Sequence, residues 1–339
     1  MSDPGTPSGG VDVARRVPAQ ALVLAAGLGT RLAPLTYVRA KAAVPVNGET
    51  LARRTVRWLV SQGVRDLVLN LHHMPATITA SVGDGSDLGA RVRYSWEQPV
   101  LGSAGGPRHA LPLLVDSSDP AAGTFLIVNG DTLTDVDVAA LAATHRDSGA
   151  AVTMALIPNP RPDKYGGVQV ADGRWVTGFS RRGSGVESYH FIGVQIVESR
   201  VFANMEDGVP GETVGALYPA LIAREKASVA AFISSASFRD IGTPADYLAT
   251  SAELASIEGD RMTSGERTAI DATATVLRSA VWDDVRIGAG AEIVESVVCD
   301  GVAIPAGARY RRCAIVVAAG RRPRDGERID GDLLIGRID

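Results

Sequence analysis

Between residue 20 and about residue 250 the chain alternates short apolar runs with segments of helical period. ALVLAA (21–26) reads as a buried strand, and residues 51–62 place Ala52, Val56, Leu59 and Val60 on one helical face, with Gly63 as the stop. The strand DLVLNL, a helix near 75–82, the strand RVRYSW, a helix near 104–114 and the strand TFLIVN follow in turn. Such alternation predicts a mainly parallel sheet covered on both faces, with ligands bound beyond the carboxyl ends of its strands. Residues 150–197 are richer in strands and turns (Gly166, Gly167, Asp172–Gly173, Gly183) and are expected to form an inserted β-rich lid. Helices over 212–224 and 244–256 close this part.

The C-terminal segment changes character. Three stretches align at an offset of 17 residues: Ile270, Ile287 and Ile304, then Val276, Ile293 and Tyr310, then Ser279, Ser296 and Cys313, then Val281, Val298 and Ile315. Alanines 272, 289 and 306 keep the same register. Short repeats of this kind predict stacked β-coils, each burying its neighbour's apolar edge. The units IGAGAEI and IPAGARY resemble left-handed β-helix hexapeptides, and three coils need an end cap or a partner subunit. The fold expected is therefore α/β: a Rossmann-like, mainly parallel sheet with an inserted β-rich lid, then a short left-handed β-helix. The expected divisions are a flexible tail over 1–18, the α/β unit over 19–258 and the β-helix over 265–339.

Composition narrows the partners. The chain has 339 residues, 45% of them apolar and 21% charged, with a formal net charge of −4. That balance offers no global basic field for nucleic acid. No apolar run approaches the roughly 20 residues that span a membrane. The opening MSDPGTPSGG lacks the regions of a signal peptide, and Cys299 and Cys313 are the only cysteines, so a cytoplasmic chain without disulfides is expected. The two cysteines read as buried small apolar residues rather than zinc ligands. Neighbours on a strand face opposite sides, so His72 and His73 read as structural.

Residues 24–46, LAAGLGTRLAPLTYVRAKAAVPV, carry the most chemistry. Glycines after a strand let backbone N–H groups approach an anion, and Arg31 and Lys41 just beyond can neutralise phosphate charge. The spacing fits neither GxxxxGK[ST] nor GxGxxG, and spacing alone leaves an ordinary strand–helix turn open. A second stretch, Glu97-Gln98-Pro99-Val100-Leu101-Gly102-Ser103-Ala104-Gly105-Gly106, opens a helix with small residues. In VNGDTLTD, Asp131 stands one residue past a buried strand, where an N-cap, a surface residue or a magnesium ligand can stand; Asp135 and Asp137 are better placed to cap the next helix.

GxGTRLxPLT followed by a lysine and PV resembles the signature of the sugar-1-phosphate nucleotidyltransferases, with Ala26 and Ala40 in place of a family glycine and proline. The resemblance makes Ala25, Ala26, Gly27, Gly29, Thr30, Gln98, Gly102 and Ser103 nucleotide-binding residues, Gln98 and Gly102 reading the base. It makes Arg31, Lys41 and Asp131 catalytic, and pairs Asp131 with the Asp240 of FRDIGTPADY as ligands of Mg²⁺. Tyr165-Gly166-Gly167-Val168 is similar to the family's sugar-side turn, and Gly193 to its next one. The family's Glu-Lys-Pro is missing. Gly178-Phe179-Ser180-Arg181-Arg182-Gly183 stands there instead, so Arg181 or Arg182 is expected to take the sugar phosphate.

The reaction implied joins an NTP to a sugar 1-phosphate and releases pyrophosphate, without a general base. The short β-helix resembles that of mannose-1-phosphate guanylyltransferases, which favours GTP with a mannose- or heptose-like sugar and a homo-oligomeric enzyme. LGSAGG and NLHH are also similar to uridylyltransferases acting on amino-sugar phosphates. A non-catalytic regulatory paralogue would be expected to lose the charged residues kept here, and a bifunctional acyltransferase would need a histidine after His190, where none occurs.

Overall fold

The computed structural model of the protein describes residues 17–115 and 123–339. The expected flexible tail therefore lies, apart from its last two residues, outside the described part. Nine strands form the main sheet: β1 (Gln20–Leu24), β2 (Asp66–Leu71), β3 (Arg91–Trp96), β4 (Thr124–Asn129), β5 (Val152–Pro158), β6 (Gly167–Ala171), β7 (Trp175–Ser180), β8 (Tyr189–Glu198) and β9 (Val229–Ile233). Their order is β3-β2-β1-β4-β8-β5-β9-β7-β6. Strands β1 to β4 pair in parallel, and β9 is parallel to β5. β8 runs antiparallel between β4 and β5, and the β6–β7 hairpin is the edge.

The longer helices are α1 (Leu51–Ser61), α2 (Pro75–Val82), α3 (Gly102–Leu114), α4 (Val138–Ser148), α5 (Tyr218–Arg224) and α6 (Pro244–Glu258). A π-helical turn, Thr213–Leu217, leads into α5. Strand periodicity decides which side each residue serves. Ala21, Val23, Leu67 and Leu69 join one core with Val56, Leu59, Ile78 and Leu141, beneath α1, α2 and α4. Leu22, Val68 and Ile127 join the opposite core with Leu111, Leu114, Tyr218 and Leu221, beneath α3 and α5.

The sheet is mixed rather than mainly parallel as expected, because four of the eight neighbouring pairings in its order are antiparallel. Residues 150–197 are no separate lid, because β5 and β8 lie inside the main sheet. Val152, Met154 and Leu156 are buried there beside Val197, and the β6–β7 hairpin between them forms the edge of the same sheet. Asp137 caps α4 through the Ala139 and Ala140 amides, whereas Asp135 accepts from the Ser237 amide instead.

The C-terminal segment forms three parallel ladders whose partners stand 17 residues apart: Ile270–Ile287–Ile304, Val276–Ile293–Tyr310 and Val281–Val298–Ile315. Hydroxyls repeat the offset. Ser279 Oγ accepts from the Ser296 amide at 3.0 Å, and Ser296 Oγ from the Cys313 amide at 3.1 Å. The last turn is covered within the chain, where Leu333–Arg337 pairs antiparallel with Cys313–Val317. Cys299 is buried and Cys313 half-buried, and neither is in a disulfide. Among the described residues no helix is long and apolar enough to cross a membrane.

Ile293 is fully buried inside the coil. Ile293→Ala is expected to lower unfolding stability by about 2–5 kcal/mol in urea titrations. A loss well under 1 kcal/mol would mean that the coil interior is not packed as described.

Candidate active site

The carboxyl ends of β1, β2 and β4 open onto a cleft of about 240 Å³, whose walls include Ala25, Ala26, Gly27, Lys41, Asn70, Glu97, Gly102, Ser103, Asn129 and Asp131. Its floor is set by a buried polar relay. Asn70, 2% exposed, stands among the leucines and valine of β2. Its Oδ1 accepts from the amides of Ala25 (2.5 Å) and Ala26 (3.2 Å), and its Nδ2 donates to Glu97 Oε1 at 2.7 Å. Glu97 Oε2 accepts from the Leu101 amide at 2.7 Å, just before α3 begins at Gly102. One relay thus ties the loop after β1 to the N-terminus of α3. A buried amide and carboxylate remain tolerable only with partners of this kind. His72 and His73 serve the same frame, contacting the carbonyls of Glu97 and Thr36 at 2.9 Å each.

Beyond β1, Gly29 adopts φ 62°, and a Cβ there would lie 2.8 Å from Thr36 Cγ2 and 3.1 Å from Lys41 Cβ. A side chain would therefore part the glycine loop from the turn bearing Lys41. Thr30 and Arg31, both exposed, open a short 3-10 turn (Thr30–Leu32).

The acidic residues meet through backbone pairing. Phe238–Asp240 lies antiparallel to Thr132–Thr134 with Asp240 opposite Thr132, and the Ile241 amide donates to Asp131 O at 3.3 Å. Lys41 Nζ sits 2.6 Å from Asp131 Oδ2, and Lys164 Nζ 3.8 Å from Asp240 Oδ2. Lys164 also donates to both oxygens of Asp246, at 2.8 and 3.0 Å. A Cβ at Gly242 would lie 3.1 Å from Asp240 Oδ2, 3.3 Å from Arg31 Nη1 and 3.4 Å from Asp246 Oδ2, so these three groups converge. Burial pushes the Asp240 carboxyl above its ordinary range, the Asp131 charge adds to this, and Lys41, Lys164 and Arg31 oppose it. Asp246 is held low despite burial by hydrogen bonds from Lys164 and Thr243.

The residues expected on the sugar side are distributed less evenly. Gly193 (φ 80°) abuts Asn129 at the end of β4, where a Cβ would fall 2.9 Å from Asn129 Nδ2. Gly167 begins β6, packed against Ser180 and Ser188. Tyr165, His190 and Phe238 form an aromatic cluster with ring centroids 4.4–5.5 Å apart, and burial lowers the His190 pKa to about 4. Arg181 and Arg182 are exposed on the turn after β7, and Gln98 is exposed outside the cleft wall. Lys164 is a further cation beside Asp240. Sequence reasoning missed it, and the basic stretch RPDKYGG before Tyr165 is the signal that could have found it. Asn70 was missed too, although a lone asparagine in an apolar strand marks a buried hydrogen-bonding task.

A family model described as "Nucleotidyl transferase" matches residues 20–257, well over half of the chain. The chain belongs to the nucleotidyl transferase family. It is 29% identical over 235 residues to a mannose-1-phosphate guanylyltransferase of Mycobacterium tuberculosis, a match covering 69% of this chain and 64% of that protein. It therefore spans slightly under two thirds of that relative's length. It is 33% identical over 205 residues to an N-acetylmuramate alpha-1-phosphate uridylyltransferase of Neisseria meningitidis, covering 60% of this chain and 83% of the relative. The crystal structure of HddC from Yersinia pseudotuberculosis shares the fold, with a TM-score of 0.60, 21% identity and coverage of 70% and 99%.

Mg²⁺ is bound by one or two carboxylates together with substrate phosphates. Among the described residues there is no cluster of three or more His, Cys, Asp or Glu that could form a complete protein cage. Asp131 and Asp240, two neighbouring carboxylates of which burial raises the second above its ordinary range, fit a shared ion. Because the folded state disfavours the ionised Asp240, stability should fall as pH rises from the unfolded carboxylate range through the higher folded value. Asp240→Asn is therefore expected to raise the thermal midpoint of the metal-free protein at pH 7 and to remove most of that pH dependence. An unchanged or lower midpoint would contradict the charge balance described.

Proposed function

We propose that this protein is a sugar-1-phosphate nucleotidyltransferase that forms an NDP-sugar and pyrophosphate from an NTP and a sugar 1-phosphate. The observation that carries the reading is the meeting of Arg31, Lys41 and Lys164 with Asp131 and Asp240 at the carboxyl edge of the sheet. Two polyanions repel each other, and fixed cations plus one divalent ion remove that barrier. A phosphate oxygen is already nucleophilic, so a base with a tuned pKa is not needed.

In this reading Arg31 holds the outer phosphates of the nucleotide and Lys41 the α-phosphate. The backbone of 25–30 and the start of α3, with Gly102 and Ser103, cradle phosphates and base. Asp131 and Asp240 would hold Mg²⁺, which when bound supplies electrostatic stabilisation of the reacting phosphates. For the sugar phosphate the reading prefers Lys164 to Arg181 or Arg182, because Lys164 already lies beside Asp240. Gly167, Gly193 and the Tyr165 cluster would face the sugar. The preferred pair is GTP with a mannose- or heptose-like 1-phosphate, supported by the Mycobacterium relative, and the Neisseria relative supports a uridylyltransferase as the second reading. The coil is taken as a left-handed β-helix over 265–339 after a catalytic unit over 19–258. Exposed Ile270 and Leu277 on its open first edge favour a homo-oligomer.

Pyrophosphate release from each NTP against a panel of sugar 1-phosphates tests the reading. Turnover with GTP and mannose 1-phosphate is expected to dominate. Activity with UTP alone would transfer the assignment to the second reading, and no release from any pair would remove both. Lys41→Ala is expected to slow turnover by about 10²–10³-fold. Lys164→Ala should chiefly raise the KM for the sugar 1-phosphate; an effect confined to the nucleotide KM would place Lys164 elsewhere.

A further inference from the structure

The loop between Gly27 and Val46 carries both Arg31 and Lys41, yet much of what holds it lies 200 to 300 residues away. Arg39 stands two residues before Lys41 and is mostly buried. Its Nε and Nη2 donate to Asp300 at 2.6 and 2.8 Å, and Nη2 also reaches Asp283 at 2.5 Å. Its guanidinium lies 5.4 Å from the centroid of the Trp282 ring. The two carboxylates are 17 residues apart and so occupy the same position in successive turns of the coil. The ladder itself fixes them, since the Asp283 amide donates to Asp300 Oδ1 at 3.1 Å and the Glu266 amide to Asp283 Oδ1 at 2.7 Å. A planar guanidinium bound by two oxygens of one carboxylate and one of another has little freedom to tilt.

Four further ties reach the same loop. Tyr37 OH donates to Glu327 at 2.9 Å, and Arg321 donates to the Tyr37 carbonyl at 3.1 Å. Trp282 Nε1 donates to Tyr247 OH at 2.8 Å, and that hydroxyl donates to Pro45 O at 2.6 Å. Gly336 lies so close under Pro34 that a Cβ would fall 2.9 Å from its Cδ. Apolar packing follows the same route, because Leu32, Leu35, Val44 and Val46 share one core with Trp282, Val297, Cys299, Ala314 and Leu334.

We infer that the C-terminal coil is the clamp that positions the nucleotide loop for catalysis, and that Arg39, seated on the stacked carboxylates Asp283 and Asp300, is its principal positioning residue. The coil is then more than an assembly platform, for it sets where the cations at positions 31 and 41 stand. The inference rests on the reading of this loop as the triphosphate site.

The test compares Arg39→Met, Asp300→Asn and Tyr37→Phe with the parent protein, all as the full chain. Arg278→Gln is the control, since it breaks an exposed coil pair with Glu295 at a different position of the repeat from Asp283 and Asp300. Amide hydrogen exchange over residues 29–43 is expected to quicken in the three loop variants while α4 keeps its protection. The nucleotide KM should rise about 10-fold in Arg39→Met, within the usual range of coupling between sites, with the sugar-phosphate KM little changed. The two milder substitutions keep the test valid if Arg39→Met folds poorly. Loop exchange and nucleotide KM equal to the parent in Asp300→Asn and Tyr37→Phe would overturn the inference. If the parent released pyrophosphate from no substrate pair, the functional reading would fail, and the exchange comparison would still decide the clamp.

Discussion

Two carboxylates that repel each other are held at one place by a backbone bridge, and the rest of the site is arranged around that repulsion. The short antiparallel pairing of Thr132–Thr134 with Phe238–Asp240 brings Asp131 and Asp240 together across more than a hundred residues of chain. Burial makes the second charge costly, and Lys41, Lys164 and Arg31 offset the cost in part. The same cations are the groups that a polyphosphate would need. In the proposed reading a divalent ion and phosphates would complete this charge arrangement.

The surrounding fold supplies rigidity. Asn70 and Glu97 fix the amides of Ala25 and Ala26 from below, and the coil ties Pro34, Tyr37, Arg39 and Pro45 from the side. Between those supports lies a loop with little regular structure of its own, only three short 3-10 turns. Placing a loop between two stiff elements is a common way to hold its side chains to a narrow tolerance.

Much of the fold was legible because its signals are local. Alternation in Ala21, Leu22 and Val23 sends neighbours to opposite cores, and the 17-residue offset predicted the partners in all three ladders. What escaped was non-local. Nothing in the composition of 150–197 says that β5 and β8 return to the middle of the sheet, because strand order is set by long-range pairing. The motif glycines and aspartates were visible through resemblance, whereas Lys164 reaches Asp240 only because the turn before Tyr165 folds back over the bridge. Arg39 lay unmarked between Arg31 and Lys41, since its partners are one repeat apart in a segment read as scaffold. Asp135 reads as a cap from its position and finds a different amide once Ser237 arrives.

The most direct test is crystallographic. Crystals grown with Mn²⁺ and a non-hydrolysable nucleotide triphosphate would reveal the ion by anomalous scattering and the phosphates by density. The account predicts one ion between Asp131 and Asp240, with the phosphate chain against Arg31 and Lys41. An ion held by neither carboxylate, or a triphosphate lying away from both cations, would contradict it.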